Sequence, residues 1–329
     1  MTNRPGPWPP LFSLLVILLG ALPALDLPPY FISKIDSIDK NSDPYLIVLG
    51  TAQDAGSPQI GCEKACCKDL FHEKDNERMV VSLGLVIPEA GTRYLFEATP
   101  DIANQIRDLS EASHEGSSDV PDGIFLTHAH IGHYTGLMYL GKEAMDSQNI
   151  PVFTMPRMST FLTKNGPWDQ LINRNNIKLN NIEAEKPVVL YPEVRVTPFI
   201  VPHRDEYSET VGYFIEGPGK KALFIPDIDK WSAWHSDIIT WIEKVDYAFL
   251  DATFYDNREL PGRDMSEIPH PFVVESMELF NRLPEEQKAK VFFIHMNHTN
   301  PLLKIGSEES KYVFEKGFNI AREGQRFKL

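Results

Sequence analysis

Cysteine is scarce in this 329-residue chain, and the three present are bunched at Cys62, Cys66 and Cys67. An odd, clustered set is not a disulfide framework. Positive charge is also short. There are 32 Lys and Arg against 46 Asp and Glu, a formal net charge of -14, and no stretch is dense in Lys or Arg. A body of that sign repels phosphate backbones, so the expected partner is a small molecule and not nucleic acid. Internal repeats are missing as well. Hydrophobic residues at 42% and charged residues at 24% are ordinary for a globular protein, which excludes a disordered chain, a collagen and a multi-span membrane protein. Proline, by contrast, is plentiful at 26, with 20 glycines, and predicts many turns and few long helices.

One apolar run stands apart. Arg4 is the only charge before Leu11 to Leu25, and the small residues Ala21 and Ala24 lie near its end. A basic start, a short apolar stretch and a small-residue exit form the pattern of a secretory signal. Residues 1–25 are therefore expected to direct export to the periplasm or medium, or to remain as an N-terminal membrane anchor. Residues 26–44, rich in Pro and Asp, read as a linker, and 45–329 as one domain.

Within that domain short apolar runs dominate. Tyr45 to Gly50, Val80 to Ile87, Arg93 to Glu97, Gly123 to Thr127, Pro151 to Met155, Val194 to Val201, Val211 to Glu216, Ala222 to Ile225, Tyr247 to Leu250 and Val291 to Ile294 read as strands. Asp101 to Leu109, Gly136 to Ala144, Asp237 to Lys244 and Pro271 to Leu283 read as helices. Strands in both halves with helices between them predict two sheets covered on the outside by helices.

The sharpest signal lies where one strand stops. Gly123-Ile124-Phe125-Leu126 runs into Thr127-His128-Ala129-His130-Ile131-Gly132-His133. Residues two apart in an extended segment project to the same side, so His128 and His130 can grip one cation. His133 lies across a turn that Gly132 permits. Other strand ends repeat the arrangement: His203 after Val194 to Ile200, Asp227 after Phe224-Ile225, and His295 after Phe292-Phe293-Ile294, with His298 three residues on. Imidazole and carboxylate groups at successive strand ends are the donors of a metal centre. Asp251, at the end of Tyr247 to Leu250, could orient a ligand or relay protons with His298. His270 lies between two prolines and is placed at the cleft or in an ordinary loop.

These stretches, with Gly50-Thr51-Ala52, Ala98-Thr99-Pro100-Asp101 and Ile294-His295-Met296-Asn297-His298-Thr299-Asn300-Pro301, resemble the metallo-β-lactamase superfamily across residues 45 to 329. Within it the chain is similar to the pyrroloquinoline quinone biosynthesis protein B family and to the phosphonate-pathway cyclic phosphodiesterases. The resemblance implies a four-layer αββα sandwich, an α/β (α+β) fold with the metals at one edge. It implies His128, His130 and His203 on a first ion, and His133, Asp227 and His295 on a second, with Asp227 bridging. It implies one or two zinc ions and a hydrolase in which a metal-bound hydroxide attacks an ester, lactone or phosphodiester, Asp227 steadies the nucleophile, and Asp251 or His298 passes a proton to the leaving group.

One departure from the family motif changes the chemistry at stake. The hallmark His-x-His-x-Asp-His has Gly132 where the family has Asp. A His₃ site suits zinc, whereas the remaining His133, Asp227 and His295 are a two-His-one-carboxylate set that suits iron. An iron-dependent oxidative enzyme is thus the alternative, and a metal-binding protein without catalysis the third reading. The resembling phosphodiesterases also carry three cysteines that hold a structural zinc with a distant His. Cys62, Cys66 and Cys67 are candidates for that role, with His72 or His298 as fourth ligand, against a buried thiol or a disulfide formed after export between Cys62 and one neighbour.

Overall fold

The computed structural model describes residues 43–72, 78–113 and 120–329. The expected signal segment, and the linker up to residue 42, lie outside them. No helix among the described residues is long and apolar enough to cross a membrane.

Among the described residues, fourteen strands form two seven-stranded sheets. The first holds β1 (Tyr45–Gly50), β2 (Ser82–Ile87), β3 (Thr92–Phe96), β4 (Gly123–Phe125), β5 (Ile150–Thr154), β6 (Ile177–Asn181) and, beside β1, the last strand β14 (Arg326–Lys328). The second runs β7 (Val188–Tyr191), β8 (Val194–Ile200), β9 (Val211–Glu216), β10 (Lys221–Ile225), β11 (Tyr247–Asp251), β12 (Val291–Ile294) and β13 (Asn319–Ile320) in spatial order. Pairing is parallel from β3 through β6 and from β10 through β13.

Alternation along the strands explains the layers. In β1, Leu46 and Val48 enter the core between the sheets, while Tyr45, Ile47 and Leu49 pack outward under the helices α1 (Ile102–Glu111), α3 (Pro156–Lys164) and α4 (Trp168–Asn173). In β10, Phe224 faces the other sheet, and Leu223 and Ile225 face α5 (Ile238–Glu243) and α6 (Val273–Phe280). Strands covered on both faces must be apolar at every position, which is why they read as unbroken runs. The result is the expected αββα sandwich.

The sheets meet tightly beside the site. Phe125 stacks on Phe153 at 4.3 Å and on Phe96 at 5.2 Å, with Tyr213 of the opposite sheet edge-on at 5.6 Å. The Tyr213 hydroxyl donates across the gap to the Leu126 carbonyl at 2.5 Å, and Val211 N donates to the Thr127 carbonyl at 3.2 Å. One expected helix is different. Residues 136–144 do not form an α-helix; a single turn α2 (Ile131–Tyr134) passes into the tighter 3₁₀ segment Thr135–Leu140. Backbone bonds from Gly136 N to Ala98 O and from Ala98 N to His133 O tie this stretch to the end of β3. A Cβ at Gly136 would meet the Thr99 carbonyl oxygen at 2.0 Å. That close approach sets the path of the chain.

Candidate metal centre

Carboxyl ends of parallel strands gather the polar groups. Asp227, Asp251 and His295 follow or end the neighbouring strands β10, β11 and β12, and Glu97 and Thr127-His128 follow β3 and β4. His203 comes from the loop after β8, and α2 carries His133.

Asp227 Oδ2 is the hub. It lies 3.2 Å from His203 Nε2, 3.4 Å from His128 Nε2, 3.8 Å from His133 Nε2, 3.9 Å from His295 Nε2 and 4.0 Å from His130 Nδ1. Two donors on one tetrahedral ion at ~2.0–2.1 Å stand about 3.3 Å apart. All five histidine nitrogens are buried and have no hydrogen-bond partner. Buried polar atoms are almost always paired, so inward-facing lone pairs in this number fit a cation. Ligand atoms of His128, His130, His203 and Asp227 form one group within 4.8 Å of each other, and those of Asp54, His133 and His295 form another. The structure thus brings the five histidines named from the sequence as candidate ligands around the carboxylate of the sixth, Asp227.

The His295, His128 and His203 rings are each aimed by their other nitrogen. Thr253 Oγ1 donates to Asp251 Oδ1 at 2.7 Å and faces His295 Nδ1 at 2.9 Å. A hydroxyl has one proton, and an ionised carboxylate can only accept it. Thr253 therefore accepts from His295 Nδ1–H, which leaves the Nε2 lone pair for the metal. The same device recurs on the other sheet. Thr127 Oγ1 donates to Glu97 Oε1 at 2.5 Å and accepts from His128 Nδ1 at 2.8 Å. Glu97 also faces His133 Nδ1 at 3.3 Å, and Asp229 Oδ1 accepts from His203 Nδ1 at 3.0 Å. Groups behind the ligands fix tautomer and aim in this way. Glu97 and His295 both hold positive φ, +77° and +64°. For residues other than glycine such backbone costs ~1–3 kcal/mol and persists where a site requires it.

Burial alone would raise the Asp227 carboxyl, but the charges of His203, His270 and His295 hold it well below the ordinary range. Asp251 is also lowered against burial, by His270 and His295. Its oxygens accept from Ile228 N, Thr253 N, Thr253 Oγ1 and His270 Nδ1, at 3.1, 2.8, 2.7 and 2.9 Å. A carboxylate so fully engaged organises its neighbours and has no lone pair left for relay chemistry. His270 joins the centre, with Nδ1 2.9 Å from Asp251 Oδ2 and 3.2 Å from Asp227 Oδ1. Burial would lower this imidazole; the charges of Asp251 and Asp227 raise it to about 10.

His298 is placed elsewhere than at the reacting centre. Its ring belongs with Cys62, Cys66 and Cys67, ligand atoms within 4.8 Å, and no group containing Asp227 includes it. The proton-passing role expected of His298 is corrected on that ground, because β12 ends four residues earlier and the turn carries the ring to the cysteine loop. The cysteines are free thiols, with Cys62 Sγ and Cys66 Sγ 3.8 Å apart, the separation of two sulfurs on a tetrahedral ion at ~2.3 Å. Burial and the neighbouring sulfurs push the Cys66 thiol up to about 12. His72 is exposed and outside this group.

Sequence reasoning missed Asp54, Thr127, Thr253 and Glu97. Asp54 follows β1 in a loop that reads as a plain turn, yet its Oδ1 stands 3.3 Å from His133 Nε2. A carboxylate gap at Gly132 was the one available signal that a donor had to arrive from another loop.

Comparison with known proteins agrees with this fold. Coenzyme PQQ synthesis protein B of Rhizobium meliloti is 24% identical over 315 residues, covering 89% of this chain and 100% of the relative. That of Klebsiella pneumoniae is 26% identical over 312 residues, with 87% and 98% covered. Among solved structures, Zn(2+)-bound PqqB from Methylobacterium extorquens superposes with a TM-score of 0.72 at 22% identity, covering 87% of this chain and all of that one. A diphosphatase from the PhnP family reaches 0.61 at 19% identity, with 88% and 98% covered. The family model for the beta-lactamase superfamily domain matches residues 92–296, the span from β3 through the ligand His295, and the chain belongs to that superfamily.

Proposed function

We propose that this protein is a metal-dependent hydrolase acting on an ester, lactone or phosphodiester bond of a small molecule. The observation that carries the reading is Asp227 Oδ2 within 4.0 Å of five buried histidine nitrogens that lack any hydrogen-bond partner. Zinc held there supplies a water of lowered pKa and a Lewis acid for the developing oxyanion. The chain's own part is positional. His128, His130, His203 and Asp227 would hold the ion, and Thr127 and Asp229 keep the lone pairs of His128 and His203 pointed inward. His270 stands against both Asp251 and Asp227, its Nδ1–H committed to Asp251, and Nε2 is the nitrogen left to pass a proton to a leaving group. Cys62, Cys66, Cys67 and His298 hold a structural zinc that braces the loop after β1.

Metal content and turnover on an ester, lactone and phosphodiester panel test this. His128→Ala and His203→Ala lower both, and His270→Gln slows substrates with poor leaving groups more than activated ones. Full metal content in both alanine variants, or metal without turnover on any substrate, overturns the reading.

Likeness to coenzyme PQQ synthesis protein B over nearly the whole chain supports a second reading, a part in that coenzyme's synthesis, for which iron-dependent oxidation at His133, Asp227 and His295 is the chemistry to test. The expected two-His-one-carboxylate set does not describe the site alone, since Asp54 adds a second carboxylate beside His133. Turnover that requires Fe(II) and oxygen, and fails with zinc, selects the oxidative reading.

A further inference from the structure

Gly132 and Asp54 occupy one place. A Cβ built on Gly132 would lie 2.4 Å from Asp54 Cα and 2.5 Å from Asp54 Oδ1. No side chain at 132 coexists with this loop. The carboxylate that the family's motif would project from α2 is instead delivered from the opposite side, out of the loop after β1. We propose that Asp54 is a metal ligand of this chain, completing a second ion site with His133, His295 and Asp227.

Independent features point to an ion. Asp54 Oδ1 is buried and without a hydrogen-bond partner, and so are Nε2 of His133 and Nε2 of His295, both rings fully buried. The three ligand atoms lie within 4.8 Å of one another. Asp54 Oδ2 turns outward, 3.5 Å from Gln53 Nε2. One oxygen is thus held for the site while the other stays at its rim. The loop is also pinned to its co-ligand. Gln53 N donates to Met296 O at 2.8 Å, Met296 N donates to Thr51 O at 2.8 Å, and Ala52 pairs with Met296 in a parallel bridge. Met296 directly follows His295, so the backbone that places one ligand also places the other. Asp54 itself sits at φ +22°, in the left-handed region that aspartate tolerates better than most residues.

The two sites then differ in donors. The first is three imidazoles and the shared carboxylate; the second is two imidazoles, Asp54 and the shared carboxylate. Nitrogen-rich sets hold zinc more tightly than carboxylate-rich ones, which admit harder ions such as manganese. The His128 site therefore fills first.

This inference deepens the metallo-hydrolase reading but does not need turnover, because ions are counted directly. The test is zinc per chain by plasma mass spectrometry on full-length protein equilibrated with zinc and desalted. Asp54→Ala and the near-isosteric Asp54→Asn each hold one ion fewer than the parent. His133→Ala loses the same ion, so Asp54→Ala with His133→Ala loses no more than either alone. Gly132→Ala removes no ligand yet displaces the loop, and it sheds that ion too. Thermal unfolding of each variant separates loss of an ion from loss of the fold, and Asp54→Asn carries the test if Gly132→Ala does not fold. Parent-level zinc content and affinity in both Asp54 variants overturns the proposal, whereas inactivity of a parent with its full complement of ions overturns only the hydrolase reading.

Discussion

Thr253→Val isolates the aiming device behind His295. Valine copies the shape of threonine and removes only the hydroxyl. Asp251 keeps three other donors, Ile228 N, Thr253 N and His270 Nδ1, so its carboxylate is not orphaned. His295 Nδ1–H does lose its 2.9 Å acceptor, in a residue with no solvent exposure. An unsatisfied buried donor costs ~1–3 kcal/mol. For a domain of this size that is about 2–6 °C in melting temperature. With the hydroxyl gone, the ring is free to swap tautomers and present N–H to the ion, and loss of such a partner lowers metal affinity by ~10–100-fold. Competition with a chromogenic chelator reads the affinity, and scanning calorimetry of metal-free protein reads the stability. Thr253→Ser keeps the hydroxyl and is expected to stay within about threefold of the parent in affinity. If valine binds metal as tightly as the parent while serine binds more weakly, the hydroxyl is not what aims His295.

Phe125→Ala removes a ring stacked at 4.3 and 5.2 Å between the sheets, and urea unfolding should show a loss of ~3–5 kcal/mol; a loss below about 1 kcal/mol would refute the packing argument. Burial, with Asp101 and Asp108 near, raises Glu323 to about 7. Its folded value lies above its unfolded one, so its contribution is complete below about pH 4.5 and is lost as pH rises through 7. Glu323→Gln is accordingly matched to the parent at low pH and more stable by on the order of 1–2 kcal/mol at pH 8, a gap that urea titrations at pH 5 and pH 8 would show growing or not. Cys66→Ser releases one zinc per chain while leaving the ions at the histidine cluster in place; a release of more than one ion in the metal count would show that the two centres are not independent.

How much of this was readable in advance follows from where each group sits. His128, His203, Asp227 and His295 each stand just past an apolar strand, and a polar residue where burial should continue is visible in the letters alone. Asp54 is not, because Gln-Asp-Ala-Gly is ordinary turn chemistry and its meaning is a contact with a glycine 78 positions away. Thr127 and Thr253 look like any β-branched residue at a strand end. Edge strands such as β6 and β7 are only partly buried, so their runs mix polar and apolar residues and carry no clear period. The helix expected at 136–144 gave way because a backbone contact with Thr99 outweighs local propensity.

Donors to the two proposed ions arrive from both halves of the sandwich. Asp54, His128, His130 and His133 hang from the first sheet, and His203, Asp227 and His295 from the second. A captured ion is therefore a rivet through both sheets at one rim. Withdrawing it with a chelator should let that rim breathe while the far end stays shut. Amide exchange would then speed up at the ends of β4, β10 and β12 well before the strand beginnings.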